Sequence, residues 1–196
     1  AYLAAEADAP DFAVDLLDPA YPAVVYEADL ATLNYSGLED RPYMDPLVQH
    51  LGDVDRESGW IDFDNTGLLS EPDDEDMRIV VALPRAGDGG PADASGVIVY
   101  DHGTGGHAYN MVQRRDPLHD GPSLLQAWTD GGFAVVGRDA PLYGPRYPLI
   151  DDGHAGGSLG FYNVVNLPAF RDNQRQTAVD GQVLLRWIQD GGLDRD

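Results

Sequence analysis

Val97-Ile-Val-Tyr-Asp-His-Gly-Thr-Gly-Gly106, followed further on by Gly132-Phe-Ala-Val-Val-Gly-Arg-Asp-Ala-Pro-Leu-Tyr-Gly144, decides how this chain is read. The first four residues are a continuous, β-branched apolar run, as expected of a strand buried on both faces. The glycines after it let backbone N–H groups approach a ligand at the end of that strand, because no Cβ stands in the way. Phe133-Ala-Val-Val-Gly137 predicts a second strand, and Asp139-Ala-Pro-Leu-Tyr-Gly-Pro-Arg-Tyr-Pro148 a loop, as its prolines and glycine demand.

Working outward, Ser123 to Asp130 predicts a short helix, with Pro122 at its start and Gly131-Gly132 at its end. Arg78-Ile-Val-Val-Ala-Leu83 predicts another strand, closed by Pro84 and Gly87-Asp-Gly-Gly90. Asp172 to Gln189 predicts the longest helix, with Ala178, Val179, Val183, Leu184, Trp187 and Ile188 as its apolar stripe. Asp172 suits an N-terminal cap or a first-turn charge there. Strands alternating with helices from Met77 onward give an α/β class.

Residues 1–76 read differently. They are rich in Asp, Pro and Tyr, with short apolar clusters such as Ala23-Val-Val-Tyr26 and Trp60-Ile-Asp-Phe63, and predict irregular structure with one or two short strands or helical turns. Glu71-Pro-Asp-Asp-Glu-Asp76 reads as a solvated acidic turn; its spacing fits no EF-hand calcium loop. The organisation expected is therefore an acidic N-terminal segment, 1–76, and an α/β segment, 77–196.

The chain has 196 residues, with 34 acidic against 12 basic side chains and a net charge of −22. Nucleic acid is a poor partner for that field. Of the acids 28 are Asp, and every basic residue is Arg. A high-salt solubility adaptation and a GC-rich codon bias both produce that pattern. With no cysteine, disulfides, thiolate zinc sites and a cysteine nucleophile are excluded from these residues. No apolar run is long enough for a transmembrane segment. Ala1 to Asp8 lacks the basic and apolar regions of an intact signal peptide but suits a start left by cleavage, so a secreted or periplasmic location is expected.

The order of strand, His102-Gly103-Thr104-Gly105-Gly106, helix, and Gly132 to Gly144 resembles the α/β-hydrolase superfamily. Asn166-Leu-Pro-Ala-Phe-Arg-Asp-Asn-Gln-Arg-Gln176 is similar to the entry into the helix before the nucleophile in a group of bacterial secreted or lipoprotein hydrolases. The resemblance covers about residues 77–192. It implies the N-terminal half of a mostly parallel sheet with helices on both faces, completed by a C-terminal segment. It also implies a serine hydrolase that cleaves a carboxylic ester through an acyl-enzyme. Thr104 and Gly105 would then supply backbone oxyanion donors, with His102, Gly103 and Gly106 shaping the loop, and Tyr143, Phe161 and Tyr162 either lining a pocket for a small ester or acyl substrate or equally packing the loops onto the core. The nucleophile, acid and catalytic His would follow Asp196, so the expected partner is that C-terminal half, and no cofactor is implied. A peptidase or lactone hydrolase on the same scaffold, and a non-catalytic acidic module binding calcium or a partner, are the alternatives.

Two other readings compete within the chain. Gly156-Gly-Ser-Leu-Gly160 fits G-x-S-x-G, but neither an apolar strand before it nor a helix directly after it is predicted, so Ser158 is the weaker nucleophile candidate. His102 and His107 with Asp101 or Asp139 could form a metal cluster, yet their spacing matches no known site, and no metal is expected. A His102 side chain that orders the glycine loop by hydrogen bonding is the simpler expectation.

Overall fold

The computed structural model describes residues 23–35, 61, 66, 73–104, 106–113, 124–146, 161–162 and 167–193. Four strands form one sheet in the order β1-β2-β4-β3: β1 (Ala23–Asn34), β2 (Asp73–Pro84), β3 (Gly96–Asp101) and β4 (Phe133–Arg138). β1 pairs antiparallel with β2, β2 antiparallel with β4, and β3 parallel with β4. Helices α1 (Asn110–Gln113), α2 (Leu124–Asp130) and α3 (Leu167–Gln189) and a 3₁₀ turn at Gly144–Arg146 complete the described elements.

This pairing overturns the mostly parallel hydrolase-type half-sheet expected from the sequence. Among the described residues two of the three strand pairs are antiparallel, and helical cover is sparse: α1 has 4 residues and α2 has 7. The physical reason lies in β1 and the start of β2. β1 is 12 residues long, where one or two short strands were expected, and its register runs from Ala23 opposite Pro84 to Asn34 opposite Asp73. Asp73 to Asp76, read above as an acidic turn, are therefore strand, paired with Ala31 to Asn34. An extended backbone places Asp74 and Asp76 in solvent while Met77 and Ile79 are fully buried.

Period-two alternation sorts the apolar residues onto two faces. Ala23, Val25, Val80, Ala82 and Val135 pack with Ala108, Tyr109, Met111, Val112 and Leu125, beneath α1 and α2. Ala28, Leu30, Met77, Ile79, Val81 and Val136 pack with Leu184 and Trp187 of α3. Because both faces of β2 and β4 are covered, their sequences read as continuous apolar runs rather than alternation.

α3 begins at Leu167, five residues before the expected start at Asp172, with Pro168 in its first turn, where a missing N–H costs nothing. Its buried side chains change character along its length. Leu184 and Trp187 are apolar, but Asp172, Asn173, Gln176 and Asp180 are each 0% exposed. Asp172 thus sits beyond the first turn and is not the cap expected. None of the helices among the described residues is long and apolar enough to cross a membrane.

Candidate functional site

β3 and β4 run parallel and end side by side at Asp101 and Arg138, so the segments that leave them meet at one edge of the sheet. Such carboxyl ends are where open α/β sheets gather ligand-binding loops. After β3 the chain turns sharply: the N–H of Gly106 donates to the Gly103 carbonyl at 2.9 Å. Thr104, inside that turn, is exposed, and its N–H takes no part in the closing bond. Gly106 is required by close approach, since a Cβ there would lie 2.8 Å from the His102 Cβ and 2.9 Å from the Gly103 oxygen. Gly103 has open space where a Cβ would go.

His102 ties this loop to the one after β4. Its Nε2 accepts the N–H of Ala140 at 3.1 Å, and its Nδ1 lies 3.0 Å from the Gly103 oxygen. The two bonds together select the neutral tautomer with the proton on Nδ1, donating to Gly103. The imidazole edge packs on Tyr143, with ring centroids 4.6 Å apart. Leu142 beside it holds a left-handed φ of 61° although fully buried, a strained backbone that the surrounding contacts must enforce.

Beneath the loop, Asp139 is a buried hub on the α1 side of the sheet. Its Oδ1 accepts the Ala108 N–H at 2.7 Å and its Oδ2 accepts Arg78 Nε at 2.7 Å. Its own N–H donates to the Arg78 carbonyl at 3.1 Å. The guanidinium of Arg78 lies over the Tyr109 ring, 5.3 Å from the centroid. The stretch Gly106–Tyr109 is thereby fastened to β2 and β4 through one carboxylate.

On the α3 side a second network holds the loop after β4. Arg146 NH1 donates to Asp180 Oδ2 at 2.6 Å and to the Asp139 carbonyl at 3.3 Å, and NH2 donates to Glu75. Burial alone would lower the basicity of Arg146, but Asp180 and Glu75 outweigh it and keep the guanidinium charged. Asp180 also accepts Thr32 Oγ1 at 3.2 Å and Gln176 Nε2 at 2.8 Å, while Gln176 binds the Leu33 carbonyl and the Tyr35 N–H. Arg138 bridges to Asp101 at 3.0 Å and faces Asp180 at 3.9 Å.

The aromatic residues join these parts. Tyr143 and Phe161 are 3% and 7% exposed, with ring centroids 5.4 Å apart, so both pack the loops onto the core. Tyr162 is half-buried; its ring stands perpendicular to Phe161 and its hydroxyl is 2.5 Å from Thr104 Oγ1. The Phe161 carbonyl accepts Asn173 Nδ2 of α3 at 2.9 Å.

Of the residues singled out by sequence, His102, Gly103, Thr104, Gly106, Tyr143, Phe161 and Tyr162 therefore come together, while Gly105 and Ser158 lie outside the described residues. Among the described residues no group of three His, Asp or Glu side chains could hold a metal ion. Asp139, one proposed member of such a cluster, is committed to Arg78 and Ala108. Sequence reasoning missed the two buried ionic networks. The signal for one was the spacing of Asp172, Gln176 and Asp180, four residues apart on the face that Leu184 continues. Compared with known protein families, with characterised proteins and with solved structures, the chain matches none of them.

Proposed function

We propose that the protein is an acyl hydrolase that cleaves a carboxylic ester through an acyl-enzyme. The backbone N–H groups of Thr104 and Gly105 receive the oxyanion. The serine nucleophile, its acid and the catalytic His come from polypeptide outside residues 1–196. The serine oxygen attacks the ester carbonyl carbon while its proton passes to the His; the carbonyl oxygen becomes an oxyanion. The carbon–oxygen bond to the alcohol then breaks, and the alcohol leaves with the proton held by the His. Water repeats the sequence on the acyl-enzyme, releasing the carboxylic acid and restoring the serine. Peptide or lactone carbonyls would use the same donors, so the loop favours the acyl-transfer chemistry over one scissile bond.

The observation that carries this reading is the pinning of the glycine turn by the His102 side chain. A donor aimed at a developing charge is effective when it is already in place and needs no reorganisation. Here the bonds to Ala140 and Gly103, the close contact at Gly106 and the Asp139 hub fix the turn around an exposed Thr104.

The test is a fluorophosphonate probe applied to the native, complete protein, with the labelled residue located by peptide mass spectrometry. The expected result is one labelled serine outside residues 1–196, blocked by prior hydrolysis-inactivating acylation. Absence of label together with absence of ester hydrolysis would overturn the reading, and label on Ser158 would overturn the placement of the nucleophile.

A further inference from the structure

Tyr162, expected either to line a pocket or to pack the loops, makes one further contact, through its hydroxyl to Thr104. We infer that the Tyr162 hydroxyl is a positioning group that holds Thr104, and with it the Thr104 N–H, in the geometry that receives the oxyanion; this rests on the hydrolase reading above. The Tyr162 oxygen and Thr104 Oγ1 are 2.5 Å apart, and they link residues 58 positions apart in sequence. A hydroxyl pair at the surface is worth little by itself, because water competes for both groups. What gives this one leverage is how firmly the tyrosine is held. Its ring is perpendicular to Phe161, with centroids 5.5 Å apart, and tilted against Phe170 at 5.7 Å. Phe161 is itself buried, and its carbonyl is bound by Asn173, which is 0% exposed on α3.

A continuous chain of contacts therefore runs from the interior of the longest helix, through Asn173, Phe161 and Tyr162, to the exposed turn. His102 fixes the base of that turn and Tyr162 fixes its tip. Without the second tie Thr104 would be held only by its neighbours, and displacement of a donor by about 1 Å costs on the order of 100-fold in rate.

The test is a double-mutant cycle on the native, complete protein, using p-nitrophenyl butyrate. Thr104→Val and Tyr162→Phe each remove one hydroxyl and keep every backbone N–H. Each is expected to lower kcat about 10-fold to 100-fold with little change in KM, and the double variant to lose no more than either single one. Thr104→Ser restores the hydroxyl and should recover the rate lost in Thr104→Val. Hydrogen exchange followed by mass spectrometry should show faster exchange of the amides around 102–106 in Tyr162→Phe, a readout that needs no activity. Additive losses, a KM effect alone as for a pocket-lining residue, or unchanged exchange in a parent that turns over ester would overturn the inference and leave the hydrolase reading standing. A parent that neither hydrolyses the ester nor takes up a fluorophosphonate would overturn both.

Discussion

Asp139→Ala is the perturbation whose cost the structure defines most sharply. The carboxylate is 0% exposed and Arg78 is 4% exposed, so removing it leaves a guanidinium charge buried beside Tyr109 and takes the acceptor from the Ala108 N–H. Breaking a buried pair from one side costs about 3–5 kcal/mol. With a urea m-value of about 2 kcal/mol/M for a chain of this size, the unfolding midpoint should fall by about 1.5–2.5 M. Asp139→Asn can keep an oxygen for Ala108, but it loses the charge and turns an amide NH2 donor toward the Arg78 Nε–H, so it should cost nearly as much as Asp139→Ala. Replacing both partners, as in Arg78→Met with Asp139→Leu, removes the buried positive charge as well and leaves chiefly the Ala108 N–H without its acceptor, worth about 1–3 kcal/mol. The double variant should therefore be more stable than Asp139→Ala. Urea unfolding followed by Trp fluorescence measures all three. A loss below about 1 kcal/mol for Asp139→Ala, or a double variant no better than the single, would refute the claim that this pair fastens the loop to the sheet.

Gly144 has φ 56° and a Cβ there would collide with the Asp139 carboxylate and with Arg78 NH2, so Gly144→Ala should lower the melting temperature and also loosen hydrogen exchange at Ala108. The Asp29 carboxyl is pushed up by burial first and by the neighbouring charges of Asp76 and Asp139 second, against the pull of Arg78. A raised acid opposes folding once it ionises, so Asp29→Asn should raise the melting temperature at pH 7, with the gain shrinking at about 1 M NaCl and vanishing below the carboxylate range. Asp172 has the opposite sign: burial alone would raise it, but the hydrogen bonds from Arg171 and the Ile61 N–H, with the charges of Arg171 and Arg175, hold it below the ordinary value of 3.8. Its contribution is present above that value and is lost as the pH falls through its lower folded value, so Asp172→Asn should destabilise at pH 7 and become indistinguishable from the parent in strong acid, read by thermal melts across pH.

The parts of the fold that were legible are those that local chemistry marks strongly, though β3, expected to be buried on both faces, is a partly exposed edge strand of the described sheet. Val97 to Tyr100 and Phe133 to Gly137 are β-branched or apolar runs punctuated by glycine, and both are strands, β3 and β4. α2 ends at Asp130, where Gly131-Gly132 place its end, while Pro122 and Ser123 lie outside the described residues. The length of β1, 12 residues where one or two short strands or helical turns were expected, was missed because its residues alternate between two different covers, Val25 toward α1 and α2, Ala28 and Leu30 toward α3, with Glu27 and Asp29 between them. No single-faced pattern results. The strand direction of β2 relative to β4 has no local signature at all, since an apolar run suits a parallel or an antiparallel neighbour equally.

The glycine turn was legible as a turn at the end of β3, but its fixation was not. Arg78, Asp139, Arg146 and Asp180 come from distant parts of the sequence, and nothing in their spacing announces that they meet. Charged residues in an acidic chain read naturally as solvated surface. Only where the spacing repeats on one helix face, at Asp172, Gln176 and Asp180, did the sequence hold a usable sign of burial.

The central claim, that the Thr104 N–H receives the oxyanion, is tested most directly by steady-state kinetics of Thr104→Pro in the native, complete protein with p-nitrophenyl butyrate. Proline removes that N–H together with the hydroxyl that Tyr162 binds, so its kcat is also read against Thr104→Val, which lacks the hydroxyl and keeps the N–H, and circular dichroism verifies that the variant is folded. The account predicts a fall in kcat of about 100-fold to 1,000-fold with KM nearly unchanged. A folded Thr104→Pro protein with the kcat of the parent would contradict it.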